Sequence, residues 1–321
     1  MQQMTKKIII YMPALNEGET IYNVLKSIPT ALNDFYDIEF VVVNDGSTDD
    51  TKKESLRAGA TVLSHNQNKG VGNAFQTALN YALETNVDIL VSIDADGQFD
   101  VAQIEEMIKP IIQKDADFCI GNRFSNSRPE KMSKIKFWGN RQISRIISFV
   151  SNIKIQDASC GFRAYSKNCL LSLNLQGGFT YTHETILDLV DKGYEVAQVP
   201  VNVKYFDDRT SRVANNLFKY AIKTSLIIFK CLKDYKPLQF FLSIALFIQL
   251  IAFVIGGFVF IHWMQSGTIT PYKSLGIIAL AIFGMSALVI ILAFIADILN
   301  RIRRNQEKIL YLTKKNYFGK D

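Results

Sequence analysis

The sequence predicts an α/β domain in which helices cover both faces of a parallel sheet, followed by an amphipathic helix and two membrane-spanning helices. Three observations lead to this prediction. Strand-like and helix-like segments alternate over the first two hundred residues, the strand-like segments are almost continuously apolar, and two long uncharged stretches follow Lys236. Apolar strands of this kind are typical of parallel sheets that are buried on both faces.

The strand-like segments are short and rich in β-branched or aromatic residues. Helical patterns connect them, for example over Gly70–Glu84 and Val101–Gln113. The five predicted strands are "KIIIYM" (7–12), "IEFVVV" (38–43), "ATVLS" (60–64), "VDILVSID" (87–94) and "DFCIGN" (117–122). Folds of this class bind ligands at the carboxyl ends of their strands, so polar residues that follow a strand are candidates for a site.

Two stretches near the carboxyl terminus, Leu238–Met264 and Leu275–Ala296, carry no formal charge, and each is long enough to cross a hydrocarbon layer of about 30 Å. Lys and Arg concentrate at 204–236 and 301–320, whereas the connection between the stretches carries only Lys273. The positive-inside rule then predicts a hairpin with both flanks in the cytosol. Small residues in the hairpin, Gly256, Gly257, Gly284 and Ser286, favour association with a second copy.

We therefore expect an integral membrane protein of a bacterial plasma membrane, with its catalytic domain and both termini in the cytosol. The expected parts are the domain at 1–213, an amphipathic helix at 214–236, the hairpin at 237–298 and a basic tail at 299–321. Over 215–236 a stripe of lysines faces about 80° of the predicted helix, which suits an anionic leaflet. A solvated face on a core-packed helix is the alternative. The stripe consists of Lys219, Lys223, Lys230 and Lys233.

Composition argues against several other classes of protein. The net charge of +6 is concentrated beside the apolar stretches, so we expect a membrane as partner and no nucleic acid. The four cysteines and three histidines are scattered and form no CxxC pair, so we expect no zinc site. The opening "MQQMTKKIII" runs directly into a strand and lacks the cleavage site of a signal peptide.

Polar clusters follow the first, second and fourth predicted strands, at Pro13–Glu17, Asn44–Asp49 and Asp94–Gln98. Because equivalent ends of parallel strands share one edge of a sheet, we expect the three clusters to form one site. Two purely structural interpretations remain as alternatives. Asn16 could be only the N-cap of a helix that begins near Glu17, and Asp45 only a turn residue before a helix capped by Ser47 or Thr48.

The stretch "SIDADGQFD" (92–100) places Asp94 and Asp96 one residue apart on an extended segment, with Gln98 as a further oxygen donor. Hard oxygen ligands favour Mg²⁺ or Mn²⁺ over zinc. Such an ion would neutralise a diphosphate and stabilise it as a leaving group. The alternative is a solvated acidic turn. In "NQNKGVGNAF" (66–75), Lys69 and two glycines offer a cation and backbone N–H groups to a phosphate at a helix start.

As an ordered set, the motifs resemble those of family 2 glycosyltransferases of the GT-A fold. The resemblance rests on "PALNE", "NDGSTDDT", "NKGVGNAF" and "DADGQ". Further motifs are similar to the polyisoprenyl-phosphate glycosyltransferase branch, which includes dolichol-phosphate mannose synthase: "GNRF", "NRQISRIIS", "DASCGFRAY", "GYEVAQVPV" and "RTSR". Phe99 stands where many relatives have His, and Arg212 where Lys is commoner.

The resemblance implies roles for individual residues. Pro13, Asn16, Glu17 and Asp45 would hold the nucleoside of a UDP- or GDP-linked sugar, and Lys69 its phosphate side. Asp94, Asp96 and Gln98 would surround the metal. Asp157 would act as a general base, or it would orient the acceptor or its arginines, and Arg163 is its expected neighbour. Glu184 is more typical of a structural carboxylate. The phosphate of the lipid acceptor would be bound by arginines from Arg123, Arg141, Arg145, Arg163, Arg209 and Arg212.

The expected activity is transfer of one sugar from a nucleotide diphosphate onto a polyprenyl phosphate, with inversion at the anomeric carbon. Two alternatives remain at this point: a glycosyltransferase for another lipid or a saccharide acceptor, and a degenerate domain that serves as a membrane scaffold. The sequence does not choose among UDP-glucose, UDP-N-acetylglucosamine and GDP-mannose as donor.

Overall fold

The computed structural model describes residues 5–125, 127–175, 181–205, 226, 229 and 233–319. The chain forms two compact units, one made of Met1–Ala221 with Glu307–Asp321 and the other of Ile222–Gln306. The first unit holds a seven-stranded sheet with helices packed against it. The second holds long apolar helices.

The sheet is mixed and not wholly parallel. Its spatial order is β3-β2-β1-β4-β6-β5-β7, and β6 runs antiparallel to both of its neighbours. All five predicted strands are present, but β6 and β7 lie outside them, and the expectation of a parallel sheet is wrong at β6. The strands are β1 (Lys7–Ala14), β2 (Asp37–Asn44), β3 (Thr61–Ser64), β4 (Ile89–Ser92), β5 (Phe118–Asn122), β6 (Arg163–Ser166) and β7 (Val196–Pro200).

The helices alternate with the strands as predicted, but the first two helices begin later in the sequence than expected. The first begins four residues after Glu17, and the second begins at Thr51 behind the N-cap Asp50, so neither Ser47 nor Thr48 caps it. The helices are α1 (Ile21–Lys26), α2 (Thr51–Arg57), α3 (Val71–Glu84), α4 (Ile104–Gln113), α5 (Lys134–Ser151), α6 (Lys167–Ser172), α7 (Tyr181–Asp191), α8 (Pro237–Ser266) and α9 (Lys273–Phe318).

The core of the first unit is built around β1, which lies between β2 and β4. Residues 8–12 of β1 are fully buried. The ring of Phe75 from α3 packs against Tyr11 of β1 and stacks on Tyr181 of α7, with centroids 6.1 and 4.5 Å apart respectively. Burial of each large apolar side chain contributes roughly 1.5–3 kcal/mol, so the strand that carries the first polar cluster is firmly anchored.

The segments that follow six of the strands and the segment that precedes β6 lie at one edge of the sheet. β1 pairs in parallel with β2 and β4, so these three strands end at the same edge. β5 runs in the same direction, because both β4 and β5 are antiparallel to β6. For the same reason β6 begins where the others end, with Arg163 opposite Ser92. The segments that follow β1, β2, β4 and β5 therefore meet the segment that precedes β6.

The second unit contains α8 and α9, which include both predicted spans. Ser286 donates a hydrogen bond to the carbonyl of Ala245 at 3.0 Å, and a Cβ added at Gly256 would lie 3.7 Å from that of Ala279. These two small residues thus lie where α8 and α9 meet, and association with a second copy stays a prediction. Only 17% of the most apolar window of each helix is buried, unlike the core helix of a soluble protein, so both are candidate membrane spans.

Helix α9 continues through the residues predicted as a basic tail. No Pro or Gly interrupts the chain from Asp297 to Phe318, so nothing in the sequence ends the helix earlier. Its last turns belong to the first unit, where the ammonium of Lys314 donates to the carbonyl of Leu173 at 2.8 Å. Most of the predicted amphipathic helix at 214–236 lies outside the described residues, as do Arg209 and Arg212.

Candidate active site

Asn16 joins the loops that follow β1 and β2. Its backbone has φ +54, its side-chain oxygen accepts from the N–H of Thr48 at 2.9 Å, and its own N–H donates to Ser47 Oγ at 3.0 Å. Asn tolerates this left-handed conformation because its short side chain forms local hydrogen bonds. The next N–H, that of Glu17, donates to Thr51 Oγ1 at 2.8 Å. Asn16 is therefore a link between loops, and the simple N-cap interpretation is wrong.

Asp45, which follows β2, binds the loop before α3. Its carboxylate accepts from His65 Nδ1 at 2.6 Å and from the backbone N–H groups of Lys69 and Gly70 at 2.9 and 2.8 Å. Burial alone would raise the pKa of Asp45, but these hydrogen bonds outweigh it and hold the pKa below its usual range. His65, which the sequence left isolated, is thus the partner of a predicted site residue, and Thr77 holds its other nitrogen at 2.9 Å.

A polar cavity of about 620 Å³ opens at this edge of the sheet, and we call it the strand-end cavity. It brings together residues from all three predicted clusters. Lys69 contributes its backbone to the neighbouring loop and is not among the lining residues. The predicted site residues that line the cavity are Pro13, Asn16, Glu17, Asp45, Asp94 and Asp96.

Asp94 and Asp96 are two carboxylates that line the strand-end cavity one residue apart. Burial raises the pKa of Asp94 to about 6, and the charge of Asp96 adds to this effect. The Gln98 backbone N–H donates to Asp96 Oδ1 at 3.0 Å, which fixes one of the carboxylate oxygens. Two like charges in a desolvated place repel each other, and a bound cation would relieve that repulsion.

The donor set fits a hard divalent cation that keeps open positions for a second ligand. Within the described part of the chain, no group of three or more His, Cys, Asp or Glu residues is placed to hold a metal by itself. Mg²⁺ commonly binds through one or two carboxylates together with water and substrate phosphates. Asp94 and Asp96 would therefore hold a cation that is completed by a diphosphate. Gln98, predicted as a further ligand, does not line the cavity, and its described contact with Asp96 is through its backbone.

Gly161, in the segment before β6, packs directly on the Asp94 carboxylate. A Cβ at this position would lie 2.9 Å from both carboxylate oxygens, closer than real Cβ atoms come. We expect Gly161→Ala to displace Asp94 and to weaken Mn²⁺ binding by about 10–100-fold, the usual cost of disturbing the surroundings of a metal ligand. Calorimetric titration of the protein with Mn²⁺ and nucleotide measures this.

Gly257→Ala is the matched control, because an added Cβ there meets no atom within 4 Å. Unchanged Mn²⁺ affinity in Gly161→Ala would show that Asp94 does not need its present position to bind the ion.

Arg123 and Asp157 form a buried ion pair beside the strand-end cavity. Arg123 follows β5 and Asp157 lies before β6, and the guanidinium Nε and Nη2 donate to the two carboxylate oxygens at 2.7 and 2.9 Å. Burial opposes the charge on Arg123, but Asp157 outweighs it, so the pKa of Arg123 lies above its usual value. The Asp157 side chain is fully buried and that of Arg123 is 10% exposed. Asp157 therefore orients Arg123, and the expected neighbour Arg163 is not its partner.

Lys136, in the first turn of α5, is a cation that the motifs did not single out. Burial lowers the pKa of Lys136 and the charge of Arg123 lowers it further, while the charge of Asp96 acts in the opposite direction. Its ammonium lies 5.2 Å from the centre of the Tyr205 ring, and Tyr205 also accepts from Arg123 at 3.4 Å. Lys136 thus shares a neighbourhood with Arg123 and with the carboxylate pair. The sequence does not reveal this role, because Arg123 and Asp96 are distant from Lys136 along the chain.

Arg163 has a structural position. It is fully buried, and its guanidinium donates to the carbonyls of Cys160, Thr182 and Ala158 and to the hydroxyl of Thr185 at 2.6–2.8 Å. A guanidinium saturated by main-chain oxygens has little left to offer a phosphate, so the expectation that Arg163 binds the acceptor is wrong. Its hydrogen bonds instead hold the segment before β6 against α7.

The remaining predicted residues are dispersed. Arg141 and Arg145 line a different cavity, of about 420 Å³ along α5, and do not line the strand-end cavity. Glu184 lies in the first turn of α7.

His183 is a buried neutral histidine behind the Arg123–Asp157 pair. Its Nε2 lies 3.1 Å from Ser159 Oγ, and burial, aided by the charge of Arg163, lowers the pKa of His183 to about 4. In the unfolded chain the pKa of His183 has its ordinary value of about 6.5. Between pH 6.5 and pH 4 the unfolded chain therefore binds a proton at His183 that the folded chain does not bind. Stability is fully present above pH 6.5 and falls as the pH drops toward 4, by about 3 kcal/mol in all.

We expect His183→Gln to reduce the loss of thermal stability between pH 7 and pH 5, because glutamine still bonds Ser159 without titrating. The midpoint of thermal unfolding in detergent, measured across this range for both proteins, gives the comparison. Parallel curves would show that His183 is not the titrating group.

Comparison with solved structures shows the fold class. Glucosyl-3-phosphoglycerate synthase from Mycobacterium tuberculosis, solved with UDP, matches with a TM-score of 0.56 and 24% identity over 71% of this chain and 79% of that one. A complex of the same synthase with Mn²⁺, UDP and glucosyl-3-phosphoglycerate matches with a TM-score of 0.53 and 22% identity over the same shares of the two chains. The first unit is therefore an α/β domain of the predicted GT-A class.

Comparison with sequences shows the family. Glycosyl transferase family 2 matches residues 9–172. The UDP-N-acetylglucosamine--dolichyl-phosphate N-acetylglucosaminyltransferase of Methanococcus voltae is 31% identical over 246 residues, which cover 70% of this chain and 96% of that protein. This chain belongs to glycosyltransferase family 2.

Two further relatives support the polyisoprenyl-phosphate branch of the family. The dolichyl-phosphate hexose transferase of Haloferax volcanii is 25% identical over 194 residues, which cover 60% of this chain and 81% of that protein. The polyprenol monophosphomannose synthase of Mycolicibacterium smegmatis is 22% identical over 211 residues, 61% of this chain and 77% of that protein. The resemblance predicted from the motifs is confirmed.

Proposed function

We propose that this protein transfers one sugar from a nucleotide diphosphate sugar to a polyprenyl phosphate, with inversion, at the cytosolic face of a membrane. The observation that carries the proposal is that a pair of carboxylates and a pair of cations lie close together at one edge of the sheet. The carboxylates Asp94 and Asp96 lie on one side, and the cations Arg123 and Lys136 lie within their electrostatic reach. The names of the relatives support a lipid phosphate as acceptor.

The strand-end cavity is the proposed donor site. Its volume of about 620 Å³ suits a small ligand such as a nucleotide sugar. The nucleoside would lie along Pro13, Asn16, Glu17 and Asp45, and Lys69 would approach the phosphates. A divalent cation at Asp94, Asp96 and Gln98 would supply charge stabilisation for the departing diphosphate. Either Mg²⁺ or Mn²⁺ suits these ligands, and related structures were solved with Mn²⁺ and UDP.

Arg123 and Lys136 are the proposed ligands of the acceptor phosphate. The Asp157 carboxylate holds the Arg123 guanidinium in one orientation, and Arg123 and Lys136 both lie beside Tyr205. A phosphate monoester has a second pKa of about 6, so most of the acceptor is dianionic near pH 7. The acceptor oxygen is therefore already deprotonated, and a carboxylate engaged with Arg123 is suited to orientation more than to proton transfer.

In the proposed reaction a phosphate oxygen of the acceptor attacks the anomeric carbon as the bond from that carbon to the diphosphate oxygen breaks. The bonding electrons leave with the nucleoside diphosphate, and the configuration at the anomeric carbon inverts. The product is a polyprenyl-phosphate sugar, a phosphodiester.

One assay distinguishes the proposed function from the two alternatives, a transferase for a different acceptor and a membrane scaffold without activity. Purified full-length protein in liposomes is incubated with labelled UDP-glucose, UDP-N-acetylglucosamine or GDP-mannose, and with either undecaprenyl phosphate or diacylglycerol. We expect one donor to label undecaprenyl phosphate only, and only when Mg²⁺ or Mn²⁺ is present. Labelling of diacylglycerol would favour a different lipid acceptor. Absence of transfer, together with absence of metal-dependent nucleotide binding, would favour the scaffold alternative.

Arg209 and Arg212, which lie outside the described residues, are proposed as further ligands of the lipid phosphate. Arg209→Ala and Arg212→Ala are expected to raise the KM for polyprenyl phosphate, with little change in the KM for the sugar nucleotide. Steady-state kinetics with each substrate varied in turn provide the test. A higher donor KM would assign these arginines to the nucleotide site.

A further inference from the structure

The part of α9 beyond the predicted span carries a row of exposed side chains, which we call the α9 stripe. At about 100° per residue its five members fall within an arc of about 80° on the helix. Ile302, Ile309 and Leu312 are 48%, 65% and 51% exposed, and two asparagines between and after them are exposed as well. Large apolar side chains in one exposed row are typical of an interaction surface. The α9 stripe consists of Ile302, Asn305, Ile309, Leu312 and Asn316.

The face of α9 opposite the stripe contacts the first unit. Glu307 Oε2 lies 3.5 Å from the ammonium of Lys192, and the ammonium of Lys314 donates to the carbonyl of Leu173 at 2.8 Å. On the helix Glu307 and Lys314 point about 180° away from the centre of the stripe. Contacts within the chain therefore hold the stripe outward, where a partner can reach it.

The stripe extends too far from the bilayer to be covered by lipid. Helix α9 is continuous over Lys273–Phe318. Ile309 follows Ala296, the last residue of the predicted span, by thirteen positions, which is about 20 Å along the helix axis. The headgroup layer on each side of a bilayer is only about 5–8 Å thick, and even a helix tilted by about 40° would place Ile309 about 15 Å from the hydrocarbon. A protein surface is needed to cover these side chains.

The spacing of the stripe is that of a parallel two-stranded coiled coil. Ile302, Ile309 and Asn316 recur every seven residues and are a positions, and Asn305 and Leu312 then fall at d positions. Isoleucine at a with leucine at d favours two strands, and an asparagine at an a position fixes the register. A second copy of this chain supplies the same stripe in the same register.

The charges beside the stripe select the parallel arrangement. One flank, at the g positions, is cationic, and the other flank, at the e positions, is uncharged. In a parallel pair each cationic flank faces the uncharged flank of the other copy, whereas an antiparallel pair would bring two cationic flanks together. Two copies inserted in one membrane with the same topology are parallel as well. The cationic flank consists of Arg301, Lys308 and Lys315, and the uncharged flank of Gln306 and Thr313.

We propose that the α9 stripe binds a second copy of this chain and that the two copies form a short parallel coiled coil over residues 302–316. Ile302, Ile309 and Leu312 pack against the same residues of the other copy. The contacts of Glu307 and Lys314 with the first unit lie on the outside of the coil, so they are retained when it forms. This interface does not rest on the proposed transfer reaction.

Cysteine cross-linking between copies tests the geometry of the interface. In a Cys231→Ser background the three remaining cysteines are buried. Full-length protein in liposomes is oxidised with copper phenanthroline, and linked dimers are followed over time. We expect Ile309→Cys and Leu312→Cys to be linked at least about tenfold faster than Arg304→Cys and Tyr317→Cys, because only the stripe brings two Cβ atoms within disulfide distance. The two control positions are exposed on α9 outside the stripe.

Equal rates of linkage at all four positions would mean random collision and would overturn the interface. Shielding of the Ile309→Cys variant from a water-soluble maleimide without linkage would assign the stripe to lipid, which also contradicts a second copy.

The affinity between copies tests the side chains. Full-length protein with one dye at its amino terminus is reconstituted over a range of protein-to-lipid ratios, and single-molecule photobleaching counts the copies. We expect a monomer–dimer equilibrium that Ile309→Asn weakens at least about tenfold, because an apolar a position becomes polar in both copies. Asn305→Leu should strengthen it about tenfold, since a polar d position becomes apolar. Tyr317→Asn is the matched control, as Tyr317 is 75% exposed outside the stripe, and it should leave the equilibrium unchanged.

Equal effects of Ile309→Asn and Tyr317→Asn would place the contact elsewhere, such as among the glycines of the hairpin. A monomer at every protein-to-lipid ratio would mean that the stripe does not bind a second copy, and weakening by Asn305→Leu would contradict its d position. Each of these results would overturn the proposed coiled coil. Turnover is not measured, so failure of the proposed transfer reaction would not alter them.

Discussion

Asp96→Ala is expected to abolish sugar transfer, with a loss in kcat of roughly 10³-fold or more, while the protein still folds and inserts. Burial raises the pKa of Asp94 to about 6, and the negative charge of Asp96 adds to this effect. Removal of Asp96 relieves that repulsion and costs one backbone hydrogen bond from Gln98, so we expect the fold to tolerate the change. It also removes half of the carboxylate charge that would attract a divalent cation. Initial rates with saturating donor and acceptor, measured across a Mn²⁺ titration, give the result.

Asp100 offers a matched control in the same loop. It is exposed, and its carboxylate accepts only a capping hydrogen bond from the N–H of Ala102 among its described contacts. Asp100→Ala should therefore cost about 1 kcal/mol in stability and leave the metal requirement intact. Near-normal turnover in Asp96→Ala, with metal still required, would show that the ion is bound elsewhere.

Asp157→Asn is expected to have the second large effect, and to act through Arg123. The change leaves a buried guanidinium without its counter-charge, which typically costs about 3–5 kcal/mol in stability. In the protein that remains folded, we expect the KM for polyprenyl phosphate to rise about tenfold, because Arg123 loses its fixed orientation. Thermal unfolding and steady-state kinetics on the same preparation separate the two effects.

A paired variant distinguishes orientation from base catalysis. Asp157→Asn/Arg123→Gln removes both buried charges, so it should recover most of the lost stability without recovering acceptor affinity. If Asp157 is instead a general base, the single variant should lower the chemical step by about 10²–10⁴-fold at saturating acceptor, and its pH–rate profile should lose the acidic limb. That outcome would contradict the orienting role.

The strands and the residues of the strand-end cavity could be predicted from the sequence because their signals are local. Apolar runs such as the one before Asp94 mark strands whatever surrounds them. Residues that follow parallel strands must meet at one edge, so Asn16, Asp45 and Asp94 could be grouped before their positions were known. The spans are local signals as well, since hydropathy over about 20 residues depends on no distant partner.

The positions of Asp157 and Gly161 could not be predicted, because they depend on the direction of β6. In a wholly parallel sheet, a residue that precedes a strand lies at the edge opposite the site. Because β6 is antiparallel, Asp157 and Gly161 reach the same edge as Asp94. Short apolar segments do not reveal their direction. Nor does a motif reveal whether its arginine is engaged by main-chain oxygens, as Arg163 is.

Side-chain partners were the other gap. The capping interpretation of Asn16 failed because its side chain bonds across to the loop after β2 and not along its own helix. His65 has no neighbouring motif, and its role follows only from its contact with Asp45. Such pairings join residues twenty or more positions apart, and a single sequence does not encode them in any local pattern.

The proposed transfer of a sugar onto a lipid phosphate is tested most directly by double labelling. Full-length protein in liposomes receives ³²P-labelled undecaprenyl phosphate and a nucleotide sugar that carries ³H in the sugar and an unlabelled diphosphate. We expect a single lipid product that contains both labels in equal molar amounts and one phosphorus atom per lipid by mass spectrometry. A product with two phosphorus atoms would mean transfer of a sugar phosphate, and a ³H-labelled lipid without ³²P would mean a different acceptor; either result would contradict the proposed function.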